Sequence, residues 1–180
     1  RQWRWARLQS LFWSNRAPRR PPTPTDTVPV TACIYVLAGV NGAGKSSIGG
    51  ALFAVSQVDC YNPDLVARSL LDASPGMSQT AANARAWEVG RRGLLRALET
   101  GGTYAFETTM GARTIPDLLM KGAVNGAAIH VWYAGLATAE LHIQRVNERV
   151  AAGGHPIAAA KIREANNQFL GEGVGEYKAR

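Results

Sequence analysis

A glycine-rich loop between an apolar run and a helix-forming segment limits the possible folds of this chain more than any other feature. The apolar run covers residues 34–38, and the loop after it places Gly39, Gly44, Lys45 and Ser46 in the spacing G-x-x-x-x-G-K-S. Glycines let the backbone wrap around an anion with its N–H groups turned inward, and the following helix adds the positive end of its dipole. The pattern is that of a P-loop, which binds nucleotide phosphates.

The residues of this loop have expected roles in binding ATP and Mg²⁺. Lys45 would reach the β- and γ-phosphates, and the Ser46 hydroxyl would be a ligand of Mg²⁺. The predicted nucleotide-binding residues are Gly39, Asn41, Gly42, Ala43, Gly44, Lys45, Ser46 and Ser47. A glycine-rich turn that binds nothing is the alternative, but the strand before the loop and the helix after it favour the P-loop.

Beyond the loop, strand-like and helix-like segments alternate along the chain. Predicted strands cover about 31–38, 58–61, 104–106 and 128–133, and predicted helices cover about 45–56, 78–100, 114–124 and 138–151, with two more beginning at Pro63 and after Pro156. On the long helix, Ala84, Trp87, Leu94, Leu95 and Leu98 recur at helical spacing. This alternation predicts an α/β fold of the P-loop kinase type, in which helices flank a parallel β-sheet.

Most of the positive charge lies at the N-terminus. The net charge is +7, and residues 1–30 contribute +5 of it through six arginines and one aspartate. This segment also contains a proline-rich stretch, so we expect residues 1–30 to form a disordered extension and residues 31–180 to form the kinase domain. An interaction segment at the membrane surface is the alternative for residues 1–13. Because the rest of the chain is nearly neutral, we predict no specific nucleic-acid partner.

The cysteine content and the hydropathy pattern bear on location. Cys33 and Cys60 stand in separate apolar segments without the spacing of a zinc site or a disulfide framework. No apolar run approaches the length that spans a bilayer, and the N-terminus lacks the pattern of a signal peptide. We therefore expect a cytoplasmic protein without a transmembrane segment.

Polar residues follow the predicted strands. Asn62 and Asp64 follow the second strand, and Glu107 and Thr109 follow the third. Because the carboxyl ends of parallel strands meet at one edge of a sheet, these side chains should gather beside the P-loop. Asp64 is the candidate general base for an acceptor hydroxyl, although aspartate is also favoured as a helix N-cap. Glu107 needs a partner such as metal-bound water, a substrate hydroxyl or an arginine.

Two arginines share one face of a predicted helix. Arg145 and Arg149 lie four residues apart, and paired guanidinium groups near a P-loop suit a triphosphate and the charge of a transferring phosphoryl group. The alternative is a solvated basic face with Glu148 as a neighbour. His155, between two glycines and a proline, is typical of a turn rather than of a catalytic site.

Four segments, taken in order, resemble the zeta-toxin family of P-loop kinases. They are AGVNGAGKSS, YNPD, FETT and RVNERVAAGGHP. The resemblance implies a kinase that uses ATP and Mg²⁺ to phosphorylate UDP-N-acetylglucosamine, is toxic to its bacterial host and is inhibited by an antitoxin protein. It also implies that Asp64 is the catalytic base and that Glu107 and Thr109 bind the substrate. Arg145 or Arg149 would contact the phosphates, and Arg163 would be a second such arginine.

The sequence departs from the family pattern at two places. Gly111 stands near the position of an arginine that the family often has after its Glu-x-Thr element. Residues 162–180 are polar and glycine-rich instead of basic. From this we expect the chain to end short of the family's last strand and of the loop that covers adenine, which would weaken nucleotide affinity and stability.

Three classes of function remain open from the sequence. The leading hypothesis is a small-molecule kinase that acts on a nucleotide sugar or a related hydroxyl compound; P-loop kinases of other small molecules, such as antibiotics, share an aspartate after the second strand. The second hypothesis is an ATP-binding module without phosphate transfer, either truncated or regulated by a partner. Nucleic-acid binding through the arginine-rich N-terminus is the third.

Overall fold

The structure, a computed structural model of the chain, describes residues 31–54 and 58–171. The strands are β1 (Cys33–Gly39), β2 (Cys60–Tyr61), β3 (Thr103–Thr108) and β4 (Ala128–Ala134). The helices are α1 (Lys45–Ala54), α2 (Pro63–Ala73), α3 (Gln79–Thr100), α4 (Thr114–Val124), α5 (Ala139–Ala151) and α6 (Ala159–Gly171). The strands form one parallel sheet in the order β2-β3-β1-β4. The predicted α/β fold with a parallel, helix-flanked sheet is confirmed.

Some predictions concern parts of the chain outside these ranges. They are the extension at residues 1–30, the last two residues predicted for the first helix, and the expectation about a C-terminal strand. Within the described ranges, the predicted helices and strands each have a counterpart, with bounds that differ by at most a few residues.

The strand that leads into the P-loop is buried on both faces. In β1, Ile34, Val36 and Ala38 are fully buried on one face, in a core cluster that includes Leu94 of α3 and Leu119 of α4. On the other face, Leu37 packs with Ala105 of β3 and with Ile48 of α1. Strands of parallel sheets are covered on both faces and therefore contain continuous apolar runs. The P-loop thus begins at the most buried strand of the sheet.

The apolar residues that recur at helical spacing on α3 are not all buried. Leu94 is buried, and Leu95 and Leu98 are half-buried, but Ala84 and Trp87 are exposed. The buried side chains in the first half of α3 are those of Ala82 and Ala86, which pack against Ala67 of α2. Small side chains allow the two helices to approach closely, and a search for large apolar residues overlooks them.

The short strand β2 is held in place from α3. The Tyr61 hydroxyl donates a hydrogen bond of 2.6 Å to the Ala86 carbonyl, and Pro63 then begins α2. The backbone that leads into Asn62 and Asp64 is therefore held next to β3.

Although α3 has 22 residues, neither it nor another helix in the described part of the chain combines the length and apolar character required to cross a bilayer.

Candidate nucleotide-binding site

The loop between β1 and α1 has the geometry of a phosphate cradle. Gly42 and Gly44 both adopt φ of 86°, in the left-handed region that favours glycine. The backbone N–H groups of Ser47 and Ile48 each donate to the Gly44 carbonyl at 3.1 Å, so helix α1 begins directly after the loop. The first turn of α1 therefore presents its unpaired N–H groups and its positive dipole end to the loop.

The P-loop lies close to β4 and α5. A Cβ atom added to Gly42 would lie 2.5 Å from the His142 carbonyl oxygen, and one added to Gly39 would overlap the carbonyl of Ala134. Larger residues would force the loop away from both elements. The glycines therefore allow the loop to contact the end of the sheet as well as to turn.

Lys45 is bound to the carbonyl groups of its own loop. Its Nζ atom donates to Gly39 O at 2.8 Å and to Val40 O at 3.3 Å. Burial lowers the pKa of Lys45, and the carboxylates of Glu107 and Asp64 act in the opposite direction. The ammonium group thus lies in the loop with two carboxylates in its neighbourhood.

Ser46, Asn62 and Glu107 form one hydrogen-bonded cluster from three different elements. Ser46 Oγ donates to Glu107 Oε2 at 3.2 Å, and Asn62 Nδ2 donates to Ser46 Oγ at 3.2 Å. Burial raises the pKa of Glu107, while the hydrogen bond from Ser46 and the charge of Lys45 lower it in part. The predicted gathering of these side chains beside the P-loop agrees with these contacts.

These side chains fit a magnesium ion bound together with a nucleotide. Hydroxyl and carboxylate oxygens are ligands that Mg²⁺ accepts, and Mg²⁺ usually takes few protein ligands together with phosphate oxygens. Across residues 31–54 and 58–171, no group of three or more His, Cys, Asp and Glu residues could hold a metal ion. Ser46, with Glu107 beside it, would therefore hold the ion jointly with the phosphates.

Glu107 lies within β3 instead of after it, which corrects the predicted strand end. The strand continues to Thr108 because Leu37 and Ala38 of β1 pair with Glu107 and Thr108. Thr108 Oγ1 then accepts a hydrogen bond of 3.0 Å from the N–H of Met110, whose φ is 52°. Thr109 lies in this sharp turn.

Asp64 is exposed in the first turn of α2 and does not cap that helix. The cap is Asn62, whose Oδ1 accepts from the N–H groups of Asp64 at 2.9 Å and Leu65 at 3.3 Å. The Asp64 carboxylate partly offsets the lowering of the Lys45 pKa by burial and adds to the raising of the Glu107 pKa by burial. A carboxylate with no capping role thus lies near the P-loop lysine.

Arg145 and Arg149 both lie near the P-loop. A Cβ atom on Gly44 would be 3.4 Å from Arg145 Nη2, and the charge of Arg149 lowers the pKa of Lys45. Arg149 Nη2 donates to the His155 carbonyl at 3.1 Å, whereas its buried Nε has no hydrogen-bond partner among the described residues. Arg149 Nε is thus a buried donor without a partner in the described part of the chain, next to Gly154.

Gly154 and the His155 carbonyl contact Arg149. A Cβ atom on Gly154 would lie 2.8 Å from Arg149 Cγ, so only glycine fits there without a shift. The contact from His155 is made by its backbone carbonyl. The expectation that His155 is a turn residue stays a prediction, because the turn itself covers residues 152–153.

Arg163 has a different environment from the other two arginines. It forms an exposed ion pair with Glu140, with Nε 3.6 Å from Oε1. In the described part of the chain, no hydrogen bond or ion pair joins Arg163 to the P-loop. No contact of Arg163 with the P-loop in the described part of the chain supports its predicted role at the phosphates.

The sequence pattern gives no prediction for His142, which is fully buried next to the P-loop. Its Nε2 atom accepts a hydrogen bond of 3.0 Å from the Leu136 N–H, and its Nδ1 atom lies 3.1 Å from the Asn41 carbonyl oxygen. In the sequence, only the spacing of four residues between His142 and Val146 on α5 indicates that His142 is buried. That spacing does not indicate its hydrogen bonds to the backbone of Leu136 and Asn41.

A cleft of about 390 Å³ opens on the Asn41 side of the P-loop. Its lining consists of Asn41, Trp87, residues 108–112, Thr114, Ile115, Lys161, Glu164 and Ala165. Small-molecule sites range from about 300 to 1,000 Å³, so this cleft has the size of a small ligand. Thr109 lines it, whereas Asn62 and Glu107 lie on the Ser46 side of the loop.

Replacing Glu107 by glutamine is expected to stabilise the nucleotide-free protein above the ordinary glutamate pKa. Because burial raises the pKa of Glu107 in the folded state, ionised Glu107 costs stability, and this cost grows as the pH rises from the ordinary value through the raised one. The melting temperature of Glu107→Gln should therefore exceed that of the wild type near pH 7, and the difference should disappear near pH 4. Glu99→Gln, at an exposed position of α3, controls for the loss of one negative charge. A constant difference at both pH values would contradict this prediction.

No family model matches this chain. Among curated proteins, it is similar to an uncharacterized protein of Haemophilus influenzae, with 26% identity over 121 residues that cover 67% of this chain and 82% of that protein. Among solved structures, it is similar to a candidate kinase of Chloroflexus aurantiacus, with a TM-score of 0.59, 16% identity and 76% of each chain covered. It is also similar to a chain of the Pnkp1/Rnl/Hen1 RNA repair complex, with a TM-score of 0.57 and 18% identity over 83% of this chain and 47% of that one. These likenesses establish a P-loop kinase-like fold.

Proposed function

We propose that this chain is an ATP-dependent small-molecule kinase, which transfers the γ-phosphoryl group of ATP to a hydroxyl group. The observation that carries the proposal is the hydrogen-bonded cluster of Ser46, Asn62 and Glu107, with the exposed carboxylate of Asp64 nearby. A module that only binds nucleotide needs the P-loop but has no need of an exposed carboxylate beside it. A kinase needs both, because the acceptor hydroxyl must be oriented and deprotonated next to the phosphates.

The residues around the P-loop provide the positive charge that ATP requires. The loop N–H groups and Lys45 contact the phosphates, and Arg145 and Arg149 neutralise further charge from α5. The oxygen atoms of Ser46 and Glu107 would hold Mg²⁺ together with ATP, and the ion would screen the negative charge on the phosphates.

Asp64 acts as the general base in the transfer step. The acceptor oxygen forms a bond to the γ-phosphorus while the bond from that phosphorus to the β,γ-bridging oxygen breaks, and ADP leaves. The hydroxyl proton passes to the Asp64 carboxylate. The exposure of Asp64 and the assignment of the N-cap to Asn62 support this role, because the carboxylate is left available for the acceptor.

The reacting hydroxyl of the acceptor lies beside Asp64, and the rest of the acceptor extends to the cleft lined by Asn41, Thr109 and Trp87. Trp87 is 45% exposed, and an aromatic face suits a sugar ring or a nucleobase. The resemblance to zeta toxins points to UDP-N-acetylglucosamine or a related nucleotide sugar as the acceptor. On this proposal the protein acts in the cytoplasm and is inhibited by an antitoxin protein. The Glu107 carboxylate accepts hydrogen bonds from the substrate, and the Asn62 amide also binds the substrate.

The test is phosphate transfer from radiolabelled ATP with Mg²⁺ to UDP-N-acetylglucosamine and to a panel of other hydroxyl compounds. We expect ADP release that depends on the acceptor. In Trp87→Ala, the KM for the acceptor should rise while the KM for ATP stays constant. Val89→Ala, at another exposed position of α3, is the matched control. ATP binding without transfer to any acceptor would contradict the kinase and favour a nucleotide-binding module.

A further inference from the structure

His142 has no role in the reaction proposed above, although its surroundings are highly specific. It is 0% exposed and lies on α5, between the P-loop and the connection from β4 to α5. A buried imidazole loses its hydration, and its two nitrogen atoms therefore need partners. Both nitrogen atoms have a backbone partner, one in each loop.

The two partners determine which nitrogen carries the proton. The Leu136 N–H can only donate, so Nε2 must accept and is unprotonated. In a neutral imidazole the proton then lies on Nδ1, which donates to the Asn41 carbonyl at 3.1 Å. The neutral His142 ring thereby links the P-loop to the connection between β4 and α5.

The bond to Asn41 also orients the next N–H group of the P-loop. In a trans peptide the C=O and N–H groups point in opposite directions. With the Asn41 carbonyl bound to His142, the N–H of Gly42 points away from that ring. A peptide that precedes glycine can flip at low steric cost, because glycine accepts both signs of φ. A flip would turn a carbonyl oxygen to the side where the N–H group had been.

We infer that His142 is a positioning residue that prevents this flip and keeps the P-loop in its phosphate-binding conformation. This inference goes beyond the proposed function, which assigns no role to α5 except through its arginines. It rests on the proposed function only because nucleotide binding serves as its first readout.

The inferred bond pattern requires neutral His142. A protonated ring would direct a second N–H at the Leu136 N–H, so two donors would face each other. Burial lowers the pKa of His142, and the positive charges of Lys45 from α1 and Arg145 from α5 lower it further, against the opposing effect of the bond to Asn41. As the pH falls below the ordinary histidine value of about 6.5, the loop should begin to lose its nucleotide-binding conformation.

The test compares nucleotide affinity in three variants of the full chain by calorimetry with ADP and Mg²⁺. His142→Leu removes both hydrogen bonds and is expected to weaken binding by about tenfold. His142→Gln supplies one donor and one acceptor without a titratable group, so it should restore most of the affinity. Ile162→Val, in the buried cluster with Val40 and Val146, is the control for a general loss of packing.

The pH profile separates positioning from a merely structural role. Wild-type affinity should fall as the pH drops from about 6.5 towards 5, and His142→Gln should fall less over the same range. Equal profiles together with unchanged affinity of His142→Leu would overturn the inference. If His142→Leu does not fold, the comparison of the wild type with His142→Gln decides the question alone.

A second readout keeps this test separate from the proposed function. A wild-type chain that binds no nucleotide would contradict the kinase proposal. In that case the Gly42 amide signal in ¹H–¹⁵N spectra still tests His142: it should be a single signal above pH 7 and should shift or split on acidification. A Gly42 signal insensitive to both pH and His142→Gln would overturn the inference.

Discussion

Replacing Asp64 by asparagine is expected to lower kcat by about 10² to 10⁴, the usual contribution of a general base. Asparagine keeps the shape of the side chain but cannot take up a proton. The helix should be unaffected, because Asn62 is the N-cap of α2 and the Asp64 side chain is exposed. Steady-state kinetics at saturating acceptor would measure the effect, and the KM for ATP should change little.

Asp72→Asn is the matched control for this substitution. Asp72 lies on the same helix at an exposed position, so the variant removes the same charge from α2 and should keep wild-type activity. A wild-type kcat in Asp64→Asn would show that another group is the base. Glu107, whose pKa is raised by burial, would then be the next candidate.

Replacing Lys45 by alanine is expected to lower kcat/KM by about 10² to 10³, the usual cost of removing one preorganised donor from a transition state. The Lys45 ammonium group is the cation located within the loop, where it donates to the carbonyls of Gly39 and Val40. On the proposed function, the substitution removes the positive side chain that would contact the β- and γ-phosphates. Initial rates of ADP release would measure the loss.

Lys121→Ala controls for the removal of one lysine from the chain. Lys121 is exposed near the end of α4, so its variant should keep both activity and nucleotide affinity. Calorimetry with ADP should also show weaker binding for Lys45→Ala. If that variant binds and turns over like the wild type, the P-loop is not the nucleotide site, and the proposed function is wrong.

Local sequence patterns predicted the fold because each helix or strand is signalled by residues within or next to its own segment. The P-loop spacing, the glycines after α3 and the proline at the start of α2 all act through the backbone of their own segment. Strand and helix alternation then leaves few arrangements other than a parallel sheet. The same logic predicted that Asn62, Asp64 and Glu107 would gather beside the loop.

Other features depend on contacts between distant segments, and the sequence could not supply them. The extension of β3 through Glu107 follows from pairing with Leu37 of β1. The core face of α3 depends on how closely α2 approaches, which the small side chains of Ala82 and Ala86 permit. His142 resembles any histidine on an amphipathic helix until both of its backbone partners are in place.

The order of the strands determines when the P-loop can acquire its support during synthesis. β1 is synthesised before the other strands, yet both of its hydrogen-bonding neighbours, β3 and β4, come later in the chain. Such distant pairing delays folding until the partner segments exist. A nascent chain that ends within α3 therefore contains the whole P-loop sequence without the strands that support it. The contact of Gly39 with Ala134 requires the end of β4 as well, so we expect the P-loop of an unfinished chain to lack the support that shapes it.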